Sequence, residues 1–164
     1  MATLTTNQNF LQPTGYKVQI DRSNYPNLEF FAQTIAHPSV SNPSIEVPYK
    51  RVTTHISGEK LIYDEISIEI LLDEDMKAYQ EMHDWLKRLV EEANQMPSRR
   101  GIAAPSTSDI TLTLLSSHNN LTKKFIYRDC VPTSLGSVNF KTNTTDVEFI
   151  TVAVSFTFSY FDIV

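Results

Sequence analysis

The C-terminal segment constrains the fold more than any other stretch. Ile150, Val152, Val154, Phe156, Phe158 and Tyr160 alternate with Thr151, Ala153, Ser155, Thr157 and Ser159, so one face of an extended chain is apolar and the other carries hydroxyls. From Phe149 to Phe161 such a strand would reach roughly 40 Å at about 3.3 Å per residue. Ordinary strands end at about ten residues. A strand this long needs a partner along its whole length, from its own chain or from a neighbouring subunit, because an unpaired edge leaves backbone donors and acceptors open.

The same period recurs upstream. Tyr16, Val18 and Ile20 mark a first strand, and Tyr25-Pro26-Asn27 reads as a turn. Leu28 to Ala36 reads as a second strand, closed by His37-Pro38. Residues 38–48 hold three prolines and are expected to be an irregular connection. Tyr49 to Ile56 is extended, with a turn at Ser57-Gly58-Glu59, and Ile66, Ile68, Ile70 and Leu72 mark a clean strand.

At Asp73 the period changes to three and four, through Met76, Tyr79, Met82, Leu86, Leu89 and Ala93. This predicts a helix over about 74–95, with Asp73 as N-cap, Trp85 at the edge of its apolar stripe and Pro97 as its stop. Residues 96–108 form a loop. Strands return at Ile110–Leu114, at Phe125–Cys130 (ended by Val131-Pro132-Thr133) and at Ser137–Lys141, with a turn over Thr142–Asp146 before the long final strand. The expected fold is therefore mainly β, a sandwich or barrel of antiparallel strands with one central helix. It forms one domain over residues 1–164, with strands at about 14–36, 49–72 and 109–163.

Composition narrows the classes. Fourteen basic against nineteen acidic residues give a net charge of −5, which argues against a chain that grips duplex nucleic acid. With 41% apolar residues and only 4 glycines the chain is neither disordered nor fibrous. One cysteine, Cys130, excludes an internal disulfide and suits a reducing cytoplasm. No N-terminal signal sequence and no membrane-spanning run is expected.

No catalytic pattern stands out. His37, His55, His83 and His118 lack metal-ligand spacing, and no cofactor is implied. Asp73-Glu74-Asp75 is accounted for as an acidic helix start, Cys130 as a buried structural thiol and Arg99-Arg100 as a solvated loop pair. The glycines are isolated, so there is no phosphate-cradling loop.

Three stretches, in order, carry a family resemblance. They are Thr14–Ile20 with Phe30–Pro38, then Val47-Pro48 through Ile56–Lys60 and Ile66–Ile70 into Leu71–Asp75 and His83-Asp84-Trp85, then Cys130–Gly136 with the closing strand. The chain resembles the tail tube proteins of contractile-tailed bacteriophages, whose fold is shared with contractile injection systems and type VI secretion tubes. The resemblance implies a non-enzymatic, ring-forming subunit. Hexameric rings would stack into a hollow tube with a continuous inner β-barrel, assembled in the host cytoplasm and placed in the tail of the virion.

It also implies partners: further copies of itself, a contractile sheath around the tube, and initiator, baseplate and terminator proteins at its ends. DNA would pass the lumen without specific binding, which a negative wall favours because cationic walls hold phosphates. Within this reading, Ser41, Asn42, Pro43, Ser44, Ile45 and Gly58 are expected at the contact between rings, and Glu81, Asp84, Arg88 and Glu91 on a helix face toward the sheath. Two alternatives stand beside it: a tube subunit of an injection or type VI-like particle, and a monomeric β-barrel binding module with Phe156, Phe158 and Tyr160 lining its cavity.

Overall fold

A computed structural model describes residues 10–94, 106–142 and 149–164. The end of the expected helix beyond Asn94, Pro97, Arg99-Arg100, most of the 96–108 loop and the turn following Thr142 lie outside the described residues. The elements are β1 (Tyr16–Gln19), α1 (Pro26–Phe30), β2 (Ala32–Ala36), β3 (Val40–Ser41), β4 (Ile45–Tyr49), β5 (Val52–Ile56), β6 (Ile62–Tyr63), β7 (Ile66–Leu71), α2 (Lys77–Asn94), β8 (Ser108–Leu115), β9 (Leu121–Leu135), β10 (Thr151–Thr157) and β11 (Tyr160–Ile163). Apart from β3–β6 and β4–β5, the strands join one antiparallel sheet in the order β1-β8-β9-β10-β7-β2, with β11 also on β9.

The long C-terminal strand finds its partner within the chain. From Phe156↔Pro132 and Thr157↔Val131 to Tyr160↔Arg128 and Ile163↔Phe125, β10 and β11 run in one unbroken register against β9. The expected single strand is instead two, bent at Phe158-Ser159, and Ser159 N–H still donates to Arg128 O (3.0 Å). The bend has a counterpart. Asp129 takes a positive φ of 55°, making a bulge in β9 that Asp109 supports by accepting from Asp129 N–H (3.2 Å) and pairing with Arg128 (2.5 Å).

Across this bulge the inward parity shifts on both strands. On β9, Tyr127 and then Cys130 and Pro132 point inward; opposite them, Phe156 and then Phe161 do. Tyr160, expected on the apolar face, is therefore exposed. Val131-Pro132-Thr133 does not end β9 either. Pro132 lies past the end of β8, where β9 has a partner strand on one side only, a position that tolerates a missing N–H.

The core forms where two alternating strands meet. Val152, Val154 and Phe156 oppose Ile70, Ile68 and Ile66 directly, and all six are fully or almost fully buried. Each such side chain contributes about 1.5–3 kcal/mol by leaving water. Ala78, Met82 and Trp85 of α2 cover this face. Trp85 is completely buried, not at the stripe's edge as expected: it stacks on Tyr25 (4.3 Å between centroids, 8° between planes) and its Nε1–H donates to Ser106 O (2.9 Å).

Three further elements depart from expectation. Pro26 opens the short helix α1 where a turn and strand are expected, because proline suits the first helical position and Glu81 of α2 supplies the missing cap. The helix α2 begins at Lys77, not 74: Met76 sits at φ 52°, and Asp73 caps one turn later, accepting from Lys77 N–H (2.9 Å). Residues 137–141 form no strand. The ladder ends where Gly136 N–H donates to Ala153 O (2.8 Å), after which the chain leaves the sheet.

Candidate assembly surfaces

The proline-bearing segment is built differently from the irregular connection expected of it. β3 pairs with β6 through Val40↔Tyr63 and Ser41↔Ile62, making a two-stranded neck. Beyond the neck, β4 and β5 form a hairpin in full register from Ile45↔Ile56 to Tyr49↔Val52, turned at Lys50 (φ 55°). Pro48 is accommodated because each strand of an isolated ribbon has an open edge. All ten strand residues of the hairpin are exposed, and among the described residues it packs closely on no other element.

Ser41, Asn42, Pro43, Ser44, Ile45 and Gly58 come together at the base of this hairpin. Asn42 Nδ2 donates to Ser57 Oγ (3.0 Å). Gly58 lies so close to the neighbouring chain that a Cβ would overlap Pro43 O and stand 2.8 Å from Asn42 Oδ1. Only glycine fits this approach.

The four helix residues divide. Asp84 and Glu91 are exposed, Glu91 beside Lys87 (3.6 Å) and Asp84 beside His83 (3.6 Å). Glu81 and Arg88 turn toward the body. Glu81 accepts from the N–H groups of Asn27 (3.1 Å) and Leu28 (3.0 Å) and from Asn27 Nδ2 (2.5 Å). Arg88 lies over the Tyr25 ring (5.6 Å) and donates to its hydroxyl. These two hold α1 to α2, so the outward helix face carries Asp84 and Glu91 without them.

At the neck, His37 Nδ1 is hydrogen-bonded to Tyr127 OH (2.6 Å) and its ring packs on Phe125 (4.8 Å) and Phe161 (5.3 Å). Burial lowers its pKa from the ordinary histidine value and raises that of Tyr127. Phe158 packs on Tyr127 and Tyr63, and Phe156 on Trp85, so two of the three aromatic residues suggested as cavity lining fill the interior instead. Burial pushes the Cys130 thiol up to about 12, where it is a poor nucleophile. Among the described residues no cluster of His, Cys, Asp or Glu could hold a metal ion.

Two surfaces escape sequence reasoning. One is a groove of about 390 Å³ between the free edges of β1 and β2, bridged where Tyr16 OH donates to Gln33 O. The other, of about 420 Å³, is lined by Leu72, Met76, Phe140, Phe149 and Ile150 with Asp73 and Glu74. Phe140 and Phe149 are 73% and 78% exposed, and the groove joins them to Leu72 and Met76, more than sixty residues earlier in the chain, so no local period signals it.

A family model described as phage tail tube protein matches residues 3–164. The chain belongs to that family. No curated protein sequence matches it. Among solved structures, the tail tube protein is similar to a chain of the anti-feeding prophage tube-terminating cap (TM-score 0.66, 13% identity, 98% of this chain and 95% of that one). It is equally similar to one in the PVC sheath–tube complex of an extracellular contractile injection system in its extended state (TM-score 0.65, 14% identity, 98% of each chain). Hcp1 from Flavobacterium johnsoniae is a more distant likeness (TM-score 0.51, 11% identity, 94% of each chain). At these identities the likeness is one of fold, and it agrees with the mainly antiparallel β architecture. The tail tube protein is thus a structural subunit.

Proposed function

We propose that this tail tube protein assembles into hexameric rings that stack into a hollow tube inside a contractile sheath, and that the tube delivers DNA through its lumen. The observation that carries the reading is the β4–β5 hairpin. A lone two-stranded hairpin is marginal in water, yet this one stands wholly exposed with Ile45, Val47, Tyr49, Val52 and Ile56 uncovered. A second copy is the partner always available to it.

Among the described residues β1 and β2 end the sheet, and apart from Gln33 O, which accepts from Tyr16 OH, their outward backbone groups have no strand partner; a neighbouring subunit would satisfy them, which supports ring closure. The hydroxyl-bearing face of β10 (Thr151, Ser155, Thr157) suits a wet wall, and a net charge of −5 suits passage of DNA without capture. Asp84 and Glu91 on the open face of α2 are the residues assigned to the sheath. Initiator, baseplate and terminator proteins would meet the tube at its ends, in a virion tail assembled in the host cytoplasm.

Electron microscopy of the purified protein at high concentration tests this. Stacked hollow tubes are expected, and deletion of Ser41–Ile45 should leave single rings or monomers with unchanged circular dichroism. Monomers at every concentration, or normal tubes after the deletion, would refute it. A second reading, a tube for an injection particle that carries protein cargo, is favoured by the likeness to contractile injection system chains. Nucleic acid or protein recovered from native particles separates the two.

A further inference from the structure

The hairpin is amphipathic. Cross-strand partners share a face, so Ile45, Val47 and Tyr49 lie with Ile56, Thr54 and Val52 on one side, and Glu46 and Pro48 with His55 and Thr53 on the other. Its tip is basic. Lys50 rests over Tyr49 (5.6 Å), and Arg51 is exposed.

The groove at Leu72 has the complementary character. Its floor is apolar and its rim acidic. Asp73 is occupied by the Lys77 N–H and Asp75 by the Lys77 ammonium (3.0 Å), while Glu74 is exposed. Between β1 and β2, the groove at Thr34 and Leu114 has no acidic residue in its lining, and the one beside it along Tyr16–Val18 (about 460 Å³) holds Glu29 already paired with Arg22 (2.8 Å), so neither offers the basic tip an open carboxylate.

Position decides whose groove the hairpin can fill. The neck leaves the body beside the start of β7, where Ala36 opposes Ser67, whereas the groove opens past its end at Leu72. The length of β7, roughly 20 Å at about 3.3 Å per residue, separates them. Two complementary surfaces at opposite ends of one subunit make a head-to-tail contact, the kind that propagates from copy to copy.

We propose that the apolar face of the β4–β5 hairpin docks in the Leu72–Phe140–Phe149–Ile150 groove of a second copy, with Lys50 and Arg51 against Glu74 at its rim. This rests on the reading of the hairpin as the arm between stacked copies and names its receptor.

The full-length protein tests it by charge exchange and by cross-linking. Arg51→Glu and Glu74→Lys should each raise the concentration needed for assembly by about threefold to tenfold, through loss of attraction and new repulsion, and the double variant should return to within about twofold of wild type. Under mild oxidation Arg51→Cys with Glu74→Cys should give a covalent ladder, with the buried Cys130 silent; Arg51→Cys with Thr34→Cys, at the other groove, should not. A ladder from the Thr34 pair, or full assembly of both single charge variants, overturns the docking. In either case, loss of assembly on deleting 45–56 would keep the hairpin as the arm. Normal tubes after that deletion, or a wild type that stays monomeric at every concentration, would overturn the docking and the reading beneath it.

Discussion

Replacing Glu81 with alanine should destabilise the monomer, although the residue sits on a helix face that charge patterning marks as solvated. α1 begins with Pro26, which has no N–H, so the first donors left open are those of Asn27 and Leu28, and Tyr25 provides no side-chain cap. Both donors end on the Glu81 carboxylate, at 3.1 and 3.0 Å, and Leu28 is completely buried. A hydrogen bond to a charged group contributes about 1.5–3 kcal/mol when its partner would otherwise stay dry, and a lost cap costs about 1 kcal/mol. Glu81 is half-buried, so water can partly replace it, which places Glu81→Ala at about 2–3 kcal/mol. For a chain of this length that is about 4–12 °C in Tm. Urea unfolding followed by the fluorescence of Trp85, the one tryptophan, reads the packing of α2 on Tyr25 directly. Asp84→Ala, on the same helix but exposed, should change stability by less than about 0.5 kcal/mol. Equal effects of the two substitutions would refute the capping argument.

Gly58→Ala should impair tube assembly while leaving the core's unfolding midpoint nearly unchanged, because the Cβ displaces Pro43 and Asn42 at the hairpin base and touches no core residue; normal assembly on electron micrographs would contradict this. Cys130 should resist a thiol reagent in the native protein at pH 8 and react fully in denaturant, since burial holds its thiol up to about 12; rapid native labelling would show that the β8–β9 region opens readily. His37 has its pKa lowered by burial, so the unfolded chain binds the proton more readily. Its contribution to stability is complete above the ordinary value of about 6.5 and declines as pH falls through it toward the folded value. Urea midpoints at pH 5 and pH 8 should therefore differ less in His37→Gln than in wild type, and identical pH dependence would remove His37 from the explanation.

Much of this fold is legible because one face of each core strand is buried and the other is not. Ile66, Ile68 and Ile70 and their partners Val152, Val154 and Phe156 sit where period two places them. The failures have particular causes. Tyr160 is misplaced because a bulge costs one residue of register, and period counting cannot see Asp129 at positive φ. Leu28–Ala36 reads as one strand because the cap that makes its first half helical comes from Glu81, more than fifty residues away in the chain. The hairpin is hidden by Pro43 and Pro48, which read as breakers, although an isolated ribbon has open edges where proline costs little. Of the residues assigned to assembly, Ser41–Ile45 and Gly58 lie together at the hairpin base, and their part in stacking is a proposal; Glu81 and Arg88 are not on the outward face because local charge pattern cannot distinguish a solvated carboxylate from one that caps a distant helix.

The final strand, by its length, suggests a subunit that is incomplete alone, but the incompleteness lies in other elements. Its length does not require a neighbour, because β9 pairs with β10 and β11 in succession from Leu135 to Phe125. The unmet demand is elsewhere, at the outer edges of β1 and β2 and on the uncovered hairpin. Edges and arm make different demands. An edge needs backbone partners in a fixed register, so it specifies the neighbour closely and suits closure around a ring. An amphipathic arm needs mainly an apolar seat and opposite charge, so it tolerates small rotations and suits contacts that must survive bending of a tube. Weakening the arm should therefore leave rings, and weakening the edges should leave neither rings nor tubes. A proline replacing Tyr16 on β1, whose N–H points away from β8 because Gly15 O accepts from Leu115 N–H and successive residues face opposite edges, should abolish rings outright, whereas Tyr49→Ser and Val52→Ser together should yield rings that fail to stack. Particle sizes by analytical ultracentrifugation distinguish the two, and stacked tubes from the serine variant would show that the arm is not what joins the rings.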